Sequence, residues 1–74
     1  MKVKSIKKID ETGSKENEVY TWYEAVMENE EHYTACEVLS NEGRLTGQYV
    51  LDKDGEILDQ AKNQELYDEI FDEV

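Results

Sequence analysis

Apolar and polar positions alternate along most of this chain, and the period changes once. Residues 18–28, EVYTWYEAVME, place Val19, Thr21, Tyr23, Ala25 and Met27 on one side of an extended strand. Tyr20, Trp22, Glu24, Val26 and Glu28 fall on the other side, and a period of two over such a run predicts a half-buried strand. The odd set is the cleaner apolar face, while Tyr20, Trp22 and Val26 make the second face partly apolar. Further runs rich in branched and aromatic residues lie at 2–9, 32–40 and 44–52, with a short one at 56–60. Gly47, inside the fourth run, predicts a bulge or a close approach of backbone. After residue 63 the spacing becomes three and four. Leu66, Tyr67, Ile70, Phe71 and Val74 then line one side of a helix over 64–74, with Asn63 or Asp59 as its cap.

Polar segments separate these runs: DETGSKENE (10–18), ENEEH (28–32), SNEGR (40–44) and DKDG (52–55). The first separates two strands, SNEGR and DKDG are hairpin signals, and ENEEH also reads as a turn. The expectation is a single small acidic α+β domain over 1–74. It is an antiparallel β-meander of four to five short strands with one C-terminal α-helix packed on it. The alternative is a helix through 22–39, where WYEAVMENEEHYTACEVL also contains helix formers.

Composition narrows the class. Apolar residues make up 38% of 74, enough for a thin core. A core this small is marginal alone, so self-association as a homodimer is an expectation. Cys36 is the only cysteine, which leaves no disulfide and no zinc pattern and fits a reducing compartment. No apolar run approaches the ~20 residues of a membrane span. MKVKSIKKID is basic but lacks the apolar stretch of a signal peptide. The reading is a soluble, cytoplasmic protein.

Charge changes the picture most. Nineteen acids face eight bases, for a net −11. Residues 1–15 hold five lysines and two acids, net +3, while residues 16–74 hold three bases and 17 acids, net −14. Such a surface repels nucleic acid and anionic membranes and attracts basic partners. The four lysines between Lys2 and Lys8 read as charges that keep an edge strand soluble.

Candidate chemistry is sparse. His32 and Cys36 sit four apart; on a helix they would be neighbours, but on a strand they lie about 13 Å apart. DKDGEILD invites a calcium loop, but with Gly55 at the sixth position Val50 and Ala61 fall where the first and last carboxylates belong. Paired carboxylates are too abundant here to mark general acid–base catalysis. The expectation is a binding protein with no metal and no cofactor, not an enzyme.

The terminal helix presents an unusual arrangement. Glu65, Asp68, Glu69, Asp72 and Glu73 occupy its polar side with no base among them. Glu65–Glu69, Asp68–Asp72 and Glu69–Glu73 are like-charge pairs, each costing roughly 0.2–0.5 kcal/mol. Acids in the last turn oppose the helix dipole by roughly 0.3–1 kcal/mol each. Five acids over eight steps of ~1.5 Å give one charge per ~2.4 Å, against one per ~1.7 Å for duplex DNA. Asp54, Glu56 and Asp59, just upstream, would extend the series. Tyr33, Tyr49 or Tyr67 could orient a partner at its rim.

In size, charge, missing proline and single cysteine the chain resembles the small acidic DNA-mimic proteins of phages and mobile elements. The resemblance covers the whole chain but includes no residue motif. It implies inhibition of a basic host DNA-binding protein, such as the nucleoid protein HU, a nuclease, or a repair or restriction enzyme. The partner-binding residues would be Glu65, Asp68, Glu69, Asp72, Glu73, Asp59, Glu56 and Asp54. Two other readings compete: charge that serves only solubility, and a protein-interaction module using the apolar strand face around Trp22.

Overall fold

The computed structural model describes residues 2–14 and 16–74; Lys15, one of the five N-terminal lysines, lies outside them. Four strands, β1 (Val3–Gly13), β2 (Val19–Met27), β3 (His32–Leu39) and β4 (Leu45–Leu51), precede one helix, α1 (Gln64–Asp72). The strands pair antiparallel in chain order, β1-β2-β3-β4, so the fold is an α+β meander with a C-terminal helix. Residues 22–39 form strands and not the alternative helix, because Tyr20 through Val26 pair without interruption with Val38 through His32. The run at 56–60 contributes one bridge, Leu51 to Ile57, and no fifth strand.

The first strand is longer than its apolar pattern. Asp10, Glu11, Thr12 and Gly13 continue the ladder opposite Trp22, Thr21, Tyr20 and Val19, so cross-strand pairing overrides the turn-like composition. Gly13 has φ 104°, and a Cβ there would sit 2.1 Å from the Glu18 carbonyl oxygen, which reserves the position for glycine. As an edge strand, β1 carries exposed Lys4, Lys7 and Lys8 and two register shifts, at Val3/Ser5 and Lys8/Asp10. Both features discourage pairing with another chain.

The odd residues of β2 face the helix. Ala25, Met27, Ala35 and Val50 from the sheet and Tyr67 and Ile70 from α1 form the buried core, with Val3, Ile6, Tyr23, Tyr33, Leu58, Leu66 and Phe71 around it. Tyr67 ties three parts of the chain together. Its hydroxyl donates to the Leu58 carbonyl at 2.6 Å and accepts the Val50 N–H at 3.1 Å.

Turn chemistry follows the sequence. Ser40 Oγ accepts the N–H groups of Glu42 and Arg44, and Asp52 Oδ1 accepts those of Asp54 and Glu56. Asp52 is therefore occupied in shaping its own turn. Asn63 stands at the helix N-cap position but makes no side-chain cap; its amide donates back to the Asp59 carbonyl. Asp59 Oδ1 accepts the Lys62 N–H, closing the turn that leads into α1.

At β4 the register shifts opposite Val38 and Leu39, leaving Thr46 as the extra residue. Its hydroxyl lies 3.2 Å from the Val38 carbonyl. Gly47 combines this bulge with a close approach of a different kind, since the Tyr49 ring lies over it, 3.2 Å from where a Cβ would stand.

Candidate functional site: an anionic helix and a shared acidic sheet end

The helix is anchored through one arc and charged on the other. At 100° per residue, Leu66, Tyr67, Ile70 and Phe71 fall within about 140°, and the five acids fall within the opposite ~140°. Tyr67 and Ile70 are buried. Glu65, Asp68, Asp72 and Glu73 are exposed and Glu69 is half-buried. The last turn holds no basic residue. Glu65 lies in the first turn, where the dipole favours it, so the electrostatic cost falls on Glu69, Asp72 and Glu73.

Among the described residues, the ion pairs are Lys4–Glu30 at 2.8 Å, Lys8–Glu11 at 3.5 Å and Arg44–Glu42 at 3.8 Å. None reaches a helix carboxylate, whose one side-chain partner is the amide of Gln64, donating to Asp68 at 2.8 Å.

Topology gathers further acids at one end of the sheet. In an antiparallel meander the β2–β3 turn and the exit of β4 share an end. Glu30, Glu31, Asp52 and Asp54 there line one open recess with His32, Tyr33 and Lys53. Tyr33 donates to Glu31 Oε2 at 2.6 Å. This bond, partial burial and the charges of Glu31 and Asp52 push its hydroxyl up to about 12. Of the expected site residues, Asp54 lines this recess, and Glu56 and Asp59 lie in the connection from β4 to α1. Glu30, Glu31 and Asp52 are added to them by the strand order.

Other expectations change. Tyr67 is 2% exposed and serves the core, not a rim. Tyr49 pairs with Cys36, on the sheet face away from the helix, because side chains alternate faces and Ala35 and Val50 face the core. Glu24 also belongs to that distant face, opposite Lys7, and Glu42 sits in the β3–β4 turn at the far end. The acids therefore divide between the helix side and other surfaces. His32 is exposed and Cys36 buried on the same strand, so they form no catalytic pair. Burial, with the nearby Glu37 charge, pushes the Cys36 thiol up, away from the reactive thiolate.

The tyrosine–glutamate bond gives a pH prediction. Tyr33 holds its proton more tightly folded than at the ordinary value of 10. Its contribution to stability is complete below pH 10 and disappears as pH rises toward about 12. Urea titrations from pH 9 to 12 should show Tyr33→Phe losing less stability than the parent over that window; parallel losses would place the effect elsewhere.

No family model, curated protein or solved structure matches this chain. No helix among the described residues is long and apolar enough to cross a membrane.

Proposed function

We propose that this protein is a DNA-mimic inhibitor, which sets the carboxylate row of α1 into the basic DNA-binding surface of a host nucleic-acid-binding protein. The observation that carries this reading is the helix itself. Glu65, Asp68, Glu69, Asp72 and Glu73 project opposite its buried arc, and among the described residues no cation of the chain pairs with them. A groove lined with Lys and Arg exchanges DNA for such a row by releasing similar counterions, and attraction across the gap speeds the encounter. Asp54, Glu56 and Asp59 extend the contact. The target class is a nucleoid protein such as HU, a nuclease, or a repair or restriction enzyme in the cytoplasm of a host cell. Binding alone, without catalysis or a cofactor, is the inhibitory act.

Mimicry predicts that the protein displaces a labelled duplex from such a target, with affinity falling steeply as salt rises. Displacement that resists salt would count against a phosphate-like contact.

One observation favours a second reading, the protein-interaction module. Tyr20 and Tyr49 are 38% and 42% exposed on the same sheet face as Trp22. Binding there would resist salt.

A further inference from the structure

The sheet has two faces, and the described elements cover one of them. On the other, the register sets Trp22 beside Cys36 and Tyr49, and Tyr20 beside Val38 and Gly47. The Tyr49 ring lies across Gly47, and Trp22 Nε1 lies 3.4 Å from Thr12 Oγ1. Cys36 and Val38 are 2% and 4% exposed, on the face away from α1. Their cross-strand neighbours include Trp22, Tyr20 and Tyr49, and Tyr20 and Tyr49 are 38% and 42% exposed. These residues are a second small apolar cluster, on the face opposite the one that α1 covers.

We infer that a second copy of this chain covers this face, in a two-fold dimer packed sheet against sheet. Charge selects that occupant. Each chain carries −11, so two copies repel wherever their acids meet. Within the ladder this face carries Lys7, Asp10 and Glu24 as charged residues, with Lys7 directly opposite Glu24, a net charge of −1; Glu18 and Glu28 follow the same alternation at the two ends of β2. It is where like-charged copies approach at least electrostatic cost, and a basic partner finds little to hold there.

Size is consistent. Four strands spaced ~4.8 Å apart, with about seven residues of ~3.3 Å each, present a flat footprint of roughly 440 Å² per chain. Two such footprints approach the ~1,000 Å² a specific interface needs, before side-chain relief is added. Identical sheets pack face to face in this manner at an isologous contact. The dimer would turn its two α1 helices outward, leaving both acidic rows free. It does not depend on the DNA-mimic reading.

Sedimentation equilibrium over a micromolar concentration series tests it. The wild type should approach twice its 8.7 kDa mass, and association should strengthen with salt, which screens repulsion between the two anions. That sign is opposite to the one expected for capture of a basic target, so each idea can fail alone. Tyr20→Lys with Tyr49→Lys should weaken association at least tenfold, whereas Asp68→Lys with Asp72→Lys should leave it intact. Hydroxyl-radical footprinting of the unaltered protein needs no variant to fold: Trp22 and Tyr49 should gain protection as concentration rises, and Tyr33 should not. A wild type monomeric throughout the series, leaving the face to water or another partner, would overturn the inference. So would a dimer in which Trp22 and Tyr49 gain no protection.

Discussion

Replacing Tyr67 with phenylalanine lowers stability by about 2–4 kcal/mol, although it removes one atom. The hydroxyl donates to the Leu58 carbonyl at 2.6 Å and accepts the Val50 N–H at 3.1 Å, and Tyr67 is 2% exposed. Without the oxygen, the buried Val50 N–H and the part-buried Leu58 carbonyl lose their partner, at roughly 1–3 kcal/mol for each buried group left unsatisfied. The bonds join the α1 helix, the β4 strand and the segment between them, so the loss also frees the helix to shift. For a domain of this size, that is a large part of the ~5–15 kcal/mol typical of folded proteins. Urea denaturation of Tyr67→Phe beside the parent measures it. A change below about 0.5 kcal/mol would mean that the two groups find other partners.

The second large effect separates binding from folding. Asp68→Lys with Asp72→Lys changes the acidic row by four charge units, and affinity for a basic DNA-binding target falls about a hundredfold, since like charges set against each other across an interface cost several kcal/mol. Stability stays level or rises by up to about 1 kcal/mol. Asp72 opposes the helix dipole, and no base stands in the last turn. The lost amide contact from Gln64 to Asp68 is exposed and weighs little. Titration of a labelled target gives the first quantity and thermal unfolding the second. Weaker binding with unchanged or higher stability is the signature of a surface kept for recognition. Unchanged binding would take the helix out of the proposed contact.

What the sequence disclosed follows from the range over which each signal acts. The α1 helix was legible because spacing of three and four is a local property, and the same spacing set its acids on the opposite arc. The Gln64–Asp72 helix stops short of Val74, with Glu73 as its C-cap and the Glu73 N–H donating to the Ile70 carbonyl. The odd face of β2 was legible by alternation, and Thr21, Ala25 and Met27 are buried as it implies.

Longer-range effects were hidden. Asp10 to Gly13 resembles a turn until Val19 to Trp22 is available to pair with it. Asn63 has the chemistry of a cap, but its amide is drawn back to Asp59 by the preceding turn. Grouping Glu30 and Glu31 with Asp52 and Asp54 depends on strand order, which no local pattern contains. The burial of Cys36 and Val38 depends likewise on β2 and β4 flanking β3. Glu24 and Glu42 carry the same charge as the helix acids but are placed elsewhere by the register.

We propose that the carboxylates of α1, which no cation among the described residues pairs, are held for a cationic groove on another macromolecule. The direct measurement is a pull-down from bacterial lysate with the immobilised protein at low and high salt, with and without added duplex DNA, reading retained proteins by mass spectrometry. The expected result is retention of a DNA-binding protein that is released both by salt and by duplex, and lost from the Asp68→Lys, Asp72→Lys variant. Retained proteins that are indifferent to salt, to DNA and to those two substitutions, or no retained DNA-binding protein at all, would contradict it.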